Sequence, residues 1–299
     1  MREFPDDEAC LQWLWRKRYS PDGDYAYCKR CGTARTFKRY KTNPPRPSWS
    51  CTACGLHLTP LAGTVFHKSS TSLHLWFYAF YLMTSTRCGI SAKQLERELG
   101  VTYKTAWRMM NLIRNRLMAQ DYQGPLGGSV EADETWIGGK MRQSEKNAAA
   151  RRAAETGETR IGQYVKKRQS VFGMVERGGK VRATKVSSRY GYTLRNNIRE
   201  HVLPASLVYT DEYPGYSGIE RKYTHRRINH SEKVYVSGDV HTQTIEGFFS
   251  LLKNGIRGVY HSVSEKWLQG YLNEYAWRYN HRDSGESMFK TLLLRATVS

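Results

Sequence analysis

The sequence predicts an α/β protein: a mixed sheet flanked by helices, preceded by a cysteine-bearing ribbon and a helical segment. Three observations carry this expectation. Four of the six cysteines lie in two C-x2-C pairs near the start of the chain. Residues about 70 to 120 have helical periodicity, and residues about 128 to 262 alternate β-rich runs with helical ones. The 299 residues suffice for several domains. The expected boundaries are 1–66 for the ribbon, 67–120 for the helical region, 125–262 for the α/β domain and 263–299 for a C-terminal helix packing on its core. A segment at 140–169, rich in Lys, Arg, Ala, Gln and Glu and poor in large apolar residues, reads as a basic insertion between two strands. It is either a solvated loop or an arm that orders on a polyanion.

Charge narrows the partner. Lys and Arg number 47 against 27 acidic residues, a formal net charge of +20. The pI is near 9.8. Such a balance suits nucleic acid first and an anionic membrane second. The most apolar stretch, Leu73 to Met83, is about half the length needed to span a bilayer. With a polar, acidic opening and no signal sequence, the expected setting is a reducing cytoplasm, in association with the nucleoid. Paired cysteines there more often hold metal than form disulfides.

At the front, "YCKRCG" and "WSCTACG" supply Cys28, Cys31, Cys51 and Cys54, with 19 residues between the pairs. Two residues between thiolates let one tight turn present both sulfurs to one ion, and Gly32 and Gly55 suit the φ > 0 positions such turns need. Four thiolates form a closed tetrahedral set, so structural Zn²⁺ is expected, against the alternatives of two disulfides or four core thiols. Cys10 and Cys88 read as buried free thiols. The basic stretch from Arg35 to Trp49 suits DNA phosphates.

Next, "SAKQLERELGVTYKTAWRMMNLIRNRL" has the rhythm of a helix-turn-helix. Ser91 caps a helix bearing Leu95 and Leu99, and Gly100 ends it. Thr102 caps a second helix with Ala106, Met109, Met110 and Ile113 facing inward. Its other side offers Tyr103, Lys104, Thr105 and Arg108 to a major groove, although many helical hairpins bind nothing.

The α/β region carries three separated acids. Asp133 lies within an expected strand from Val130 to Trp136. Asp211 ends an apolar run from Leu207 to Tyr209, the place where open sheets usually carry sites. Glu246 lies on the helix read from "HTQTIEGFFSLLKNGIRG", where Ile245, Phe248 and Leu252 form an apolar stripe. Lys253 stands seven residues past Glu246 and shares its face. Three carboxylates drawn together repel and need cations, and hard oxygen ligands select Mg²⁺ or Mn²⁺. Two such ions about 3.5–4 Å apart can clamp an in-line phosphoryl transfer. Alternation puts Glu131 on the strand face of Asp133 and Glu134 on the other, which leaves Glu131 as a further candidate. His225, His230 and His241 read as phosphate contacts or, first, as structural histidines. Asn229 is a neighbour with no assigned role. A hairpin turned at Gly178–Lys180, a helix over "YTLRNNIREHV", a last strand over "RKYTHRRINH" and an aromatic helix from Ser264 complete the region.

The order Asp133, Asp211, Glu246 and Lys253, with "ADETWIGGK", "YTDEYPGY" and "HTQTIEGFFSLLKNGIRGVYH", resembles DDE-type bacterial insertion-sequence transposases. The likeness runs from about Cys28 to Arg282. It implies a zinc ribbon and a helical DNA-binding segment before an RNase H-like catalytic core, with Asp133, Asp211 and Glu246 as ligands of two Mg²⁺ or Mn²⁺ ions and Lys253 positioning DNA. The implied activity is metal-dependent cleavage at element ends and transfer of the freed 3′-hydroxyl into target DNA. The partners are double-stranded DNA (terminal repeats and target) and further copies of the chain, as a homodimer or higher oligomer. Two rival readings keep the same features: a nuclease of this fold without joining activity, and a sequence-specific DNA-binding regulator.

Overall fold

A computed structural model describes residues 2–40, 47–86, 88–119, 121, 123–138, 147, 150, 151, 154, 155, 168–228 and 241–298. The chain divides into two compact units, residues 1–120 with 283–299, and residues 121–282. Most of the basic segment expected at 140–169 lies outside the described residues, as do Asn229 and His230.

The first unit opens with helix α1 (Asp7–Arg18), capped by the Asp6 carboxylate, which accepts from the Ala9 amide at 2.8 Å. Strands β1 (Tyr25–Cys28), β2 (Thr33–Tyr40), β3 (Ser48–Cys51) and β4 (His57–Leu58) form an antiparallel sheet in chain order. β1 ends on Cys28 and β3 on Cys51. Each then turns through a C-x2-C-G loop in which the Gly32 or Gly55 amide donates back to the Cys28 or Cys51 carbonyl at 2.9 Å. The two glycines have φ of 70° and 72°, the left-handed conformation expected of them. Trp15 of α1 stacks on Trp49 of β3 at 4.6 Å and ties the helix to the ribbon.

Helix α2 (Leu73–Ser85) buries Trp76, Phe77, Phe80 and Met83, so its hydrophobicity serves a packed core. No helix among the described residues is long and apolar enough to cross a membrane. Helices α3 (Ala92–Leu99) and α4 (Tyr103–Leu112) follow, and the expected capping is present at both. The Ser91 and Thr102 hydroxyls accept from Gln94 and Thr105 amides, and Gly100 turns the chain with φ 63°. Leu95, Leu99, Ala106, Met109, Met110 and Ile113 are buried. α4 runs on as a π-helical turn, Ile113–Met118. Cys10 is buried as expected, but Cys88 is exposed, because it falls in the loop between α2 and α3.

The second unit is a five-stranded mixed sheet. Its strands are β5 (Ser129–Ile137), β6 (Gln169–Glu176), β7 (Val181–Val186), β8 (Leu207–Asp211) and β9 (Thr224–Ile228), in spatial order β7-β6-β5-β8-β9. β7, β6 and β5 are antiparallel, while β5, β8 and β9 are parallel. Helix α5 (Gly191–His201) crosses between β7 and β8 and covers one face, where Leu194 and Ile198 meet Val130, Ala132, Phe172 and Met174. Helices α6 (Gln243–Gly255) and α7 (Leu268–Asn280) cover the other, where Ile245, Phe248, Phe249, Leu252 and Leu272 meet Val171, Val175 and Val181. Successive residues of β6 thus feed two cores. The segment expected at 263–299 divides: α7 packs on β7, whereas α8 (Met288–Val298) packs on α1 and α2 in the first unit. The polar stretch Ser284–Ser287 separates the two helices.

Two features dock α6. At Gly173 of β6 a Cβ would stand 2.7 Å from Phe249 and 2.8 Å from Ile245, so only glycine admits the helix this close. Glu131, fully buried on β5, accepts from the amides of Thr244 and Ile245 at 2.9 and 3.1 Å, from the Thr244 hydroxyl at 2.9 Å and from Arg177 Nε at 2.7 Å. A carboxylate here satisfies the helix's unpaired N–H groups and its positive end together. Removing it leaves those amides without their acceptor and takes from Arg177 Nε its carboxylate partner. Glu131→Ala is therefore expected to cost about 3 kcal/mol in urea unfolding. A loss under about 1 kcal/mol would show that α6 is held by its apolar face alone.

Candidate functional site

The acid cluster arises where two parallel strands part. β5 and β8 pair over Ser129–Glu131 and Leu207–Tyr209, with Glu131 opposite Tyr209. Asp133 and Asp211 each stand two residues beyond that last pair, so both point to the same side. Two carboxylates facing one another across neighbouring strands repel, which opposes further pairing. The opening lies at the carboxyl ends of parallel strands, where open sheets place their sites.

A carboxylate oxygen each from Asp133, Glu134 and Asp211 lies within 4.8 Å of the other two. Glu246, on the first turn of α6, is near enough for its charge to act on Asp133. Its Oε1 accepts from the Thr242 hydroxyl at 2.9 Å, and the residue is exposed. Asp133 Oδ1 accepts from the Glu134 amide at 2.7 Å and Asp211 Oδ1 from the Tyr213 amide at 3.1 Å. Burial pushes the Asp133 carboxyl up, the Glu134 N–H opposes this, and the charges of Asp211, Glu134 and Glu246 add to it, for a value of about 7. Burial raises Glu134 too, against the pull of Arg189. Glu134 Oε1 is buried with no hydrogen bond of regular geometry among the described residues. Crowded hard oxygens, one orphaned and one protonating near neutrality, are the donor set a divalent cation fits.

The structure brings Asp133 and Asp211 together with Glu134 from positions far apart in sequence, while Glu246 stays outside that 4.8 Å group and acts on Asp133 through its charge. Lys253 lies in the last turn of α6, half-buried, two turns beyond Glu246. Glu131 shares the face of Asp133, as alternation requires, but its oxygens are engaged by α6 and Arg177. His241 Nδ1 stands 3.2 Å from Glu131. His225 is a structural histidine, bridging the Thr210 hydroxyl at 2.9 Å and Glu220 at 3.0 Å. The residue that sequence reasoning set aside is Glu134. Alternation assigns it to the opposite face, yet β5 has no β8 partner beyond Glu131, and the carboxylate reaches the shared opening.

The four ribbon thiols also converge, each offering a sulfur within 4.8 Å of the rest. Cys28 and Cys54 sulfurs are 3.4 Å apart and Cys31 and Cys51 sulfurs 4.0 Å, and all four cysteines are free. Sulfurs held about 2.3 Å from one tetrahedral ion lie roughly 3.8 Å apart. The spacing thus fits a metal and is longer than a disulfide bond of about 2.05 Å. In the helical hairpin, Tyr103, Lys104 and Arg108 are exposed, while Thr105 is half-buried with its hydroxyl 3.1 Å from that of Thr102.

Comparison with known proteins agrees with this architecture. The chain is 29% identical over 288 residues to a protein in transposable element ISH50 of Halobacterium salinarum, covering 94% of this chain and 92% of that protein. It is 30% identical over 109 residues to a transposase-like protein of Haemophilus influenzae, covering 36% of this chain and 87% of that one. Residues 125–280, just over half of the chain and the whole acid cluster with its sheet, match the ISXO2-like transposase domain. The chain belongs to the ISXO2-like transposase family, the transposases of insertion sequences.

Proposed function

We propose that this transposase cuts DNA at the ends of its element and joins the freed 3′-hydroxyl to target DNA, at a centre formed by Asp133, Asp211 and Glu246. The observation that carries the reading is the convergence of the two aspartates past the last β5–β8 pair, close enough to Glu246 for its charge to act on Asp133. The strand order, three antiparallel strands continued by two parallel ones, supports an RNase H-like core. Two Mg²⁺ or Mn²⁺ ions held by these acids would neutralise the attacked phosphodiester and draw the attacking and leaving oxygens together.

The residues divide the work. Asp133 and Asp211 hold the cation site from the rigid sheet, and Glu246 closes it from α6. Lys253 holds a DNA phosphate further along the same helix face. In the first step water oxygen bonds to phosphorus and the bond to the 3′-oxygen breaks, leaving a 3′-hydroxyl on the element. In the second that 3′-oxygen bonds to a target phosphorus, and the target's own 3′-oxygen leaves. No covalent protein intermediate is needed. Tyr103, Lys104, Thr105 and Arg108 of α4 read the terminal repeat in a major groove, with Thr105 also engaged in its helix cap. Cys28, Cys31, Cys51 and Cys54 would hold a structural Zn²⁺. Two element ends must be handled at once, so the active species is a dimer or higher assembly on DNA.

Three outcomes test this reading. Asp133→Asn, Asp211→Asn and Glu246→Gln should each bring Mn²⁺-dependent cleavage of an element-end substrate below detection, with end binding changed only a few-fold. Lys253→Ala should lose about tenfold in rate, roughly 1.4 kcal/mol of transition-state stabilisation. A pre-cut end offered with a plasmid target separates transposition from simple nuclease action, because only a transposase yields joined product. Normal cutting by all three acid variants would falsify the assignment.

The metal-free protein carries a second signature. Asp133 binds its proton more tightly folded than unfolded, so stability falls as pH rises from the ordinary 3.8 towards 7 and stays lower above it. Without added Mg²⁺ or Mn²⁺, Asp133→Asn should thus melt higher than wild type at pH 8, by about 2–4 kcal/mol, and the gap should narrow towards pH 5. A variant less stable than wild type at pH 8 contradicts the crowding of these acids.

For the ribbon, elemental analysis should find one zinc per chain, and Cys28→Ser with Cys51→Ser should lose it along with DNA-end binding. Full zinc content in that double variant would remove the ion from this site.

A further inference from the structure

The site contains a carboxylate that the reading above leaves without a task. Glu134 lies on β5 next to Asp133, on the face turned towards α5. Its side chain is 1% exposed. Oε2 stands 3.3 Å from an Arg189 nitrogen, a long contact for an ion pair. Oε1 has no hydrogen bond of regular geometry among the described residues, although the buried Tyr216 hydroxyl lies close enough to Glu134 to interact with it. Yet Glu134 offers an oxygen within 4.8 Å of oxygens from both Asp133 and Asp211. A buried carboxylate with one idle oxygen is costly unless something positive meets it. Its only nearby cationic side chain among the described residues already faces the other oxygen.

Arg189 holds that second oxygen in a defined place. Its guanidinium lies 5.6 Å from the Trp136 ring and 5.0 Å from the Tyr213 ring, so two aromatic faces limit where it can go. Glu134 is therefore gripped from the α5 side while its carboxylate stays within reach of the aspartates.

Resting on the cation site proposed above, we propose that Glu134 is a direct ligand of the divalent cation held by Asp133 and Asp211. The centre then contains four carboxylates, Glu246 included, and one guanidinium. Two divalent cations leave it with a single net positive charge, which the single negative charge of the attacked phosphodiester balances. Without Glu134 the same centre is left doubly positive, and Arg189 loses its anionic partner.

The test reads Mn²⁺ binding and not turnover. The full-length protein is titrated with Mn²⁺ and free ion is followed by electron paramagnetic resonance, for wild type, Glu134→Gln, Glu134→Asp and Asp133→Asn. Far-UV circular dichroism confirms that each is folded. Glu134→Gln is isosteric and should weaken Mn²⁺ binding about 10- to 100-fold. Glu134→Asp keeps the charge but draws the oxygen back by one methylene, and should weaken binding several-fold. Should Glu134→Gln fail to fold, Glu134→Asp decides alone. Wild-type affinity in Glu134→Gln overturns the proposal. Wild-type affinity in Glu134→Asp also overturns it, because the effect would then be one of charge at a distance. Asp133→Asn distinguishes the two levels. If it too binds Mn²⁺ like wild type, the cation site itself fails; if it is weakened while the Glu134 variants are not, only the role of Glu134 fails.

Discussion

The burial of the Glu131 carboxylate against the start of α6 is the constraint from which the geometry of the site follows. It is fully buried, and its oxygens accept from two helix amides, the Thr244 hydroxyl and Arg177. These bonds fix where α6 begins on the sheet as well as its direction. Asp133 stands two residues beyond Glu131 on the same strand face, and Glu246 stands two residues beyond Thr244 on the helix. The anchored start of α6 keeps Glu246, in its first turn, near enough for its charge to act on Asp133. Gly173, paired with Asp133 across β5 and β6, removes the side chain that would hold the helix away. A helix placed by apolar packing alone could slide by a fraction of a turn, and catalytic carboxylates tolerate no such slack.

The scaffold and the site have opposite electrostatic characters. The sheet is clad on both faces by buried aliphatic and aromatic side chains, and these supply the stability. At its carboxyl end it gathers acids that repel one another, and burial first, then their charges, raise the Asp133 carboxyl to about 7. Such a cluster is unfavourable in isolation and persists because the surrounding packing over-determines it. The same arrangement makes the site selective for cations: the free energy lost in assembling the carboxylates empty is regained when positive charge enters. In the ribbon the logic differs. Its sulfurs lie at hairpin ends whose turns are already satisfied by Gly32 and Gly55 amides, so an ion held there would lock a small sheet.

Much of this was legible in the residues because the signals were local. The C-x2-C-G pairs specify their own turns, and Ser91, Gly100 and Thr102 specify a helix, its stop and the next start. Asp211 after an apolar run, and Ile245, Phe248 and Leu252 at helical spacing, likewise needed no tertiary knowledge. What resisted reading was the fate of the acids flanking Asp133. Strand alternation assigns faces correctly, yet it says nothing of where a neighbouring strand stops pairing. That end point lets Glu134 reach the opening from the far face. Nor does alternation reveal that an incoming helix N-terminus, 113 residues later in the chain, claims Glu131. Cys88 was misjudged as buried for a related reason: a thiol's burial depends on the loop it falls in, and the sequence gives no periodicity there.

Glu131, Asp133 and Glu134 thus show how one short stretch of strand assigns three acids to three duties by what each meets. Glu131 meets backbone N–H groups and a guanidinium, and becomes part of the framework. Asp133 meets other carboxylates, and is left needing a cation. Glu134 meets both, with Arg189 beside one oxygen and an oxygen within 4.8 Å of those of the aspartates. The difference does not lie in the side chains, which are chemically near-identical, but in the partners that β8, α5 and α6 place around them. A carboxylate whose oxygens are all engaged stabilises the fold, whereas one with an idle buried oxygen is available for chemistry. By that criterion the framework role ends at Glu131, and the reactive part of β5 begins at Asp133.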